Sequence, residues 1–268
     1  MTIIGEKINS SVPPTREAFA AKDTQAVCAT ALRQIECGAQ YLDVNAAMLP
    51  DEPGTLLWAV ETILSACGDT GLVIDSADPR AMAHALSHGV PKKLILNSVT
   101  LEKHRLEGVL PLAVQYGAGV VALPIDQSGM PKSAEKRIEN AERLLERLEG
   151  AGIPQEKIYI DIVVEAVSAN WEAPRQALCA AAALRAKYPA LHLLAGVSNI
   201  SFGLPKRAQL NRAFVCSAVA TGVDTLILDN TNAAMRMCLR SALLINGQDE
   251  FCEEYIDTYR KVFNANFN

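Results

Sequence analysis

Short apolar runs in this 268-residue chain end, one after another, in a carboxylate or a carboxamide. Glu6 follows Ile3-Ile4, with Asn9 just beyond. Asp43 and Asn45 stand in and after Tyr41-Leu42-Asp43-Val44. Asp75 follows Leu72-Val73-Ile74, and Asn97 follows Leu94-Ile95-Leu96. Further along come Asp126, Asp161 with Glu165, Ser198-Asn199 and Asp229-Asn230. Ionised carboxylates accept hydrogen bonds, while carboxamides both donate and accept. A ring of such groups suits a flat heteroaromatic ligand edged with amine, ring N–H and carbonyl groups, and rejects ligands that lack them. Singly, each residue also fits a turn or a helix N-cap. The repetition at strand after strand argues for a binding site.

Other chemistries lack their residues. None of His84, His88, His104 and His192 falls at the end of an apolar run, so a transition-metal site is not expected. A carboxylate-bound magnesium stays open, although carboxamides are poor ligands for a hard cation. No glycine-rich phosphate loop stands out near residues 198 or 229. Gly117-Ala118-Gly119 precedes an apolar run where a dinucleotide fingerprint would follow one, and reads as a helix stop. Gly196-Val197-Ser198-Asn199-Ile200 begins like a nucleophile elbow but lacks the closing glycine, and no histidine is placed to activate Ser198.

The elements that must carry these residues alternate. The apolar runs number eight, the last three being Ile158 to Val163, Leu191 to Ala195 and Leu226 to Leu228, and helical stretches lie between them. The clearest helix opens on Ser133 as N-cap, runs Ile138, Ala141, Leu144, Leu145 and Leu148 down one face, and is expected to stop at Gly150. Asp78-Pro79 and Glu172-Ala173-Pro174 read as helix openings. Pro13-Pro14 and Pro50-Asp51-Glu52-Pro53-Gly54 read as loops, and 249–263 as a terminal helix. Strands alternating with helices imply a parallel sheet. Eight units of about 33 residues predict a single (β/α)8 TIM barrel in the α/β class, spanning 1–268 as one domain. A doubly wound sheet is the alternative, but Gly5-Glu6-Lys7-Ile8-Asn9 lacks its glycine-rich turn.

Composition narrows the function classes. Hydrophobic residues make up 50% of the chain and charged residues 21%, which excludes disorder as the main state. A net charge of −5 argues against nucleic-acid binding, and no apolar run is long enough to span a membrane. The first residues lack the basic and apolar regions of a signal peptide. Seven scattered cysteines without a C-x-x-C pair suggest a reduced, cytoplasmic setting.

Gly5-Glu6-Lys7-Ile8-Asn9, Leu42-Asp43-Val44-Asn45, Ile74-Asp75-Ser76, Leu96-Asn97-Ser98, Ile160-Asp161 and Gly196-Val197-Ser198-Asn199-Ile200-Ser201-Phe202-Gly203, with Arg207 and Asn211, occur in this order. In these motifs the chain resembles the pterin-binding methyltransferases that act between 5-methyltetrahydrofolate and a corrinoid protein. It is also similar to the folate-binding region of cobalamin-dependent methionine synthase. The resemblance covers nearly the whole chain and implies a pterin-binding barrel. Matched by position, it puts pterin contacts on Asp75, Asn97 and Asp161, and the side chain reaching folate N5 on Asn199. Gly196 and Ser198 lie in the same block, Arg207 lies toward the benzoate and glutamate part, and Glu6, Asn9, Asp43 and Asn45 form or support the floor. Phe202 stands where some relatives carry a polar residue.

The resemblance further implies tetrahydrofolate or 5-methyltetrahydrofolate as substrate, a homodimer, no metal of the protein's own, and cobalamin carried by a separate corrinoid protein. The chain has no Asp-x-His-x-x-Gly element to bind a corrinoid itself. Three other readings remain: a dihydropteroate synthase-like pterin enzyme, a non-catalytic folate-binding module, and a carboxylate-lined aldolase or lyase barrel using Lys7. Against the synthase, Asn45-Ala46-Ala47-Met48-Leu49-Pro50 has neither the glycines nor the arginine of that family's loop.

Overall fold

A computed structural model of the chain describes residues 1–263; residues 264–268 of the single-domain expectation lie outside the described residues. Eight strands close into a barrel in sequence order, each parallel to its neighbours. They are β1 (Thr2–Gly5), β2 (Tyr41–Asn45), β3 (Gly71–Asp75), β4 (Leu94–Val99), β5 (Gly119–Ala122), β6 (Ile158–Asp161), β7 (His192–Gly196) and β8 (Thr225–Leu228). The helices between them are α1 (Pro13–Ala20), α2 (Thr24–Glu36), α3 (Glu52–Cys67), α4 (Pro79–Ala85), α5 (Lys103–Tyr116), α6 (Ala134–Gly150), α7 (Ala173–Lys187) and α8 (Arg207–Ala220). After β8 come α9 (Ala233–Ile245) and α10 (Glu253–Phe263).

The strands are buried on both faces, and alternation sorts their side chains into two apolar cores. Leu42, Val44, Leu72, Ile74, Leu96 and Ile160 face outward into the layer shared with the helices. Ile4, Val73, Ile95, Val121, Tyr159 and Leu194 fill the barrel interior, with Tyr41 and Ile227 against them. Stepping two residues along each strand from that inner layer reaches Glu6, Asp75, Asn97, Asp161, Gly196 and Asp229, with Asp43 and then Asn45 beyond Tyr41. The same parity that buries the plug therefore aims the polar residues into the mouth at the C-terminal ends, where barrels of this kind carry their chemistry.

Helix signals hold at several ends. Ser133 caps α6 by accepting from Lys136 N at 3.2 Å, and Asp78 caps α4 by accepting from Arg80 N at 2.9 Å. Helix α6 ends at Gly150 as expected, and the backbone reversal follows at Gly152, whose φ is +85°. Two expectations are corrected. Pro13-Pro14 opens α1, because proline fits the first turn, where its missing N–H has no partner to lose. Asp51 caps α3 through Gly54 N at 3.0 Å, so Pro50 to Gly54 is a helix start and not an open loop.

Candidate active site

Strand register lines up the polar groups on one side of the mouth. Asn45 pairs with Asp75 and Asp75 with Asn97, so three adjacent strands present carboxamide, carboxylate and carboxamide in a row. Asn45 donates from Nδ2 to Asp75 Oδ2 at 2.9 Å and is held from behind by Ser10, whose hydroxyl donates to Asn45 Oδ1 at 3.2 Å. Below the row, Asn9 Nδ2 donates to Asp43 Oδ2 at 3.2 Å, while Asp43 Oδ1 is buried with no protein partner. Asp161 closes the row from β6 and accepts from Val163 N at 2.7 Å.

Packing these carboxyls together out of water disfavours their charged forms. Burial lifts Asp75 to about 6 against the opposing Asn45 hydrogen bond, and burial alone lifts Asp161 to about 6. Burial, reinforced by the Asp75 charge, pushes Asp43 well above the ordinary carboxylate range. Burial also raises Glu6, which accepts from the Ser198 hydroxyl at 2.8 Å. That bond ties β1 to the short 3-10 turn Val197–Ser201 after β7.

The turn carries Asn199, exposed at the rim. Arg207, at the start of α8, reaches back over it. Its Nη2 donates to Ser198 O at 2.8 Å and its Nε to Ser201 Oγ at 3.0 Å. The guanidinium lies 4.6 Å from the centre of the Phe202 ring. Both ends of the Asn199 turn are thus held by one side chain.

Two supporting residues escaped the sequence reading. Gln34, fully buried on α2, accepts from Lys7 N at 2.8 Å, and a β-carbon on Gly5 would stand 2.5 Å from its Oε1. Its signal was a polar residue at the end of the apolar stripe Val27, Ala31, Gln34. Arg105, from α5, donates to Ser98 O at 2.9 Å and Ser98 Oγ at 3.1 Å. It bends over the ends of β3 and β4, and nothing in its sequence neighbourhood announces that reach.

Several strand-end residues are not brought to the row. Asp126 takes bonds from Ser128 and an ion pair from Lys136 at 3.2 Å, which hold its carboxyl low. Glu165 pairs with the buried Arg137 at 2.7 Å. Lys7 pairs with Asp229 at 2.8 Å, and an ion-paired ammonium is the wrong form for attack on a carbonyl.

The mouth is ringed by apolar side chains on four different loops. Met48 after β2, Met130 after β5, Trp171 after β6 and Phe202 after β7 are 58%, 43%, 78% and 51% exposed. No helix among the described residues is long and apolar enough to cross a membrane.

Comparison with known proteins shows the family of the chain. A family model described as pterin binding enzyme matches residues 13–229. The chain is 31% identical to the methylcorrinoid:tetrahydrofolate methyltransferase of Eubacterium limosum over 264 residues, covering 97% of each chain. It is 29% identical over 239 residues to the methionine synthase of Mycobacterium tuberculosis, covering 84% of this chain and 20% of that one. Among solved structures, a dihydropteroate synthase from Coxiella burnetii superposes with a TM-score of 0.69 at 20% identity, covering 93% of both chains. That likeness shows the shared barrel. The chain belongs to the pterin-binding enzyme family and, within it, to the methyltransferases related to the Eubacterium limosum protein.

Proposed function

We propose that this chain moves a methyl group between N5 of tetrahydrofolate and the cobalt of a separate corrinoid protein, in either direction. The observation that carries the reading is the row Asn45–Asp75–Asn97, closed by Asp161, beneath a clamped turn bearing Asn199. The row fits a pterin edge. Its amine and ring N–H groups are donors, and the floor is rich in carboxylate acceptors, one with an unpartnered buried oxygen in Asp43.

Asp75, Asn97 and Asp161 bind and orient the ring in this scheme, with Asn45, Asn9 and Asp43 fixing their positions. Orientation of this kind lowers the barrier by holding reacting groups in line. A tertiary amine is a poor leaving group, so charge developing at N5 must be met by a donor. The Asn199 carboxamide donates there, and the bond strengthens as the charge grows. Asn199 is the catalytic residue in this scheme. Arg207, Ser198 and Glu6 are positioning residues, since they hold its turn. No covalent bond to the protein is needed.

The corrinoid cobalt supplies or accepts the methyl group. The apolar rim of Met48, Met130, Trp171 and Phe202 fits a protein partner that brings that group over the mouth, as exposed aromatic and Met side chains do at association surfaces. We also assign the whole of 1–268 to one pterin-binding domain working in the cytoplasm.

The decisive experiment mixes the purified chain with cob(I)alamin and 5-methyltetrahydrofolate, and separately with methylcobalamin and tetrahydrofolate, and follows the cobalt spectrum. Methyl transfer in at least one direction is expected. No transfer in either, with product formed from pterin pyrophosphate and p-aminobenzoate, would replace this reading with the synthase.

A further inference from the structure

Cys216 lies in the third turn of α8, and Cys238 lies in the second turn of the adjacent helix α9. Their sulfurs are 3.5 Å apart, in direct contact across the groove between the two helices. Cys216 is exposed and Cys238 half-buried. Cys238 also directs its S–H at the carbonyl of Arg212, 3.3 Å away. Nothing in the folate or corrinoid chemistry uses either thiol.

We propose that Cys216 and Cys238 are a modification site, a vicinal thiol pair that closes to an intramolecular disulfide on exchange with a low-molecular-weight disulfide. A disulfide needs its sulfurs about 2.0 Å apart. The gap to close is therefore small enough for side-chain rotation on packed helices.

Exposure sets the order of steps. Cys216 gives up its proton, and its thiolate attacks one sulfur of the reagent disulfide, forming a mixed disulfide and expelling one thiolate, which takes up a proton and leaves as a thiol. Cys238 then loses its proton, and its sulfur attacks Cys216 Sγ, releasing the second thiol. Two electrons pass from the cysteine pair to the reagent, and two thiols leave for one disulfide gained. Burial and the neighbouring Cys216 push the Cys238 thiol up to about 12, so Cys238 is the slow partner that resolves and does not initiate.

The bridge has a structural consequence. Helix α8 begins at Arg207, which clamps the Asn199 turn, and Cys216 stands about 14 Å further along its axis. Helix α9 follows β8 on the same side of the barrel. Closing the bond joins the two helices of that sector covalently, across a loop of 22 residues.

The test uses the full chain, equilibrated without oxygen against mixtures of reduced and oxidised glutathione, then quenched with acid and alkylated. Intact mass should show a species carrying two fewer alkyl groups than the fully reduced chain. Peptide mapping should give one linked pair containing Cys216 and Cys238, and the melting temperature should rise by several degrees. Cys216→Ser should abolish the linkage, and Cys238→Ser should leave glutathione trapped on Cys216. The proposal is overturned if both thiols stay free across the series. It is equally overturned if wild type stops at a mixed disulfide, or if the linked peptides carry other cysteines, such as Cys28 and Cys67.

Discussion

The carboxamide of Asn199 folds back over Gly196, so closely that a β-carbon on Gly196 would stand 3.1 Å from Asn199 Nδ2. The last residue of β7 thus leaves room for the group that the next turn presents. Asn199→Ala should lower methyl transfer roughly 10²–10³-fold, the usual cost of losing one donor aimed at developing charge. Folate affinity should change much less. Gly196→Ala should reproduce part of the rate loss by shifting the carboxamide. Single-turnover kinetics beside equilibrium folate titration separates the two effects, and an Asn199→Ala enzyme within a few-fold of wild type would remove the assigned role.

Arg207 holds Ser198 O and Ser201 Oγ with a planar fork that lysine cannot reproduce. Arg207→Lys should therefore lower kcat about tenfold while folate Kd moves by less than about threefold. A loss confined to folate binding would instead make Arg207 a contact to the substrate tail.

Asp75 and Asp161 are each lifted to about 6 in the folded chain by burial. Between the ordinary carboxylate value and 6, the folded protein holds protons that the unfolded chain has released. Stability contributed by these groups is therefore full at low pH and is lost as pH rises through about 6. Substrate binding runs the other way, because the ionised carboxylates are the acceptors. Folate affinity should weaken as pH falls through 6. Asp161→Ala and Asp75→Ala should weaken folate binding before they slow the bound reaction. Asp161→Asn should melt higher than wild type at pH 7 by a few degrees. Thermal melts and folate titrations over the same pH series check both signs.

Trp171 is the most exposed of the four apolar rim residues. Trp171→Ser should cut kcat/KM for a methyl-loaded corrinoid protein about tenfold or more, the scale of an aromatic interface anchor. With free methylcobalamin the same variant should stay within about twofold of wild type, since the rim lies outside the pterin row. Equal losses on both substrates would remove the rim from the docking surface.

The amino-acid sequence by itself determined the barrel and which polar residues stand at its strand ends. Strand alternation is a period-two property of the backbone, so Ile4 and Glu6, Val73 and Asp75, or Tyr159 and Asp161 must share a face once they lie in one strand and its continuation. The repeated break of apolar runs into Asp and Asn was legible for the same reason. Proline at a helix start was less legible, because Pro13 and Pro53 look alike in a loop and in a first turn. Tertiary structure alone decided which of those polar ends turn into the mouth without an ion-pair partner. Asp126 and Glu165 end in ion pairs with α6, whereas Asp43, Asp75 and Asp161 are left inward and dry with shifted acidity. It also decided that Gln34 on α2 reaches Lys7 after β1, a contact between distant segments of which local spacing carries no record. Arg105 and Arg207 reach back only a few residues, to the strand ends just before their own helices, and what decides those contacts is the direction in which each helix leaves the barrel.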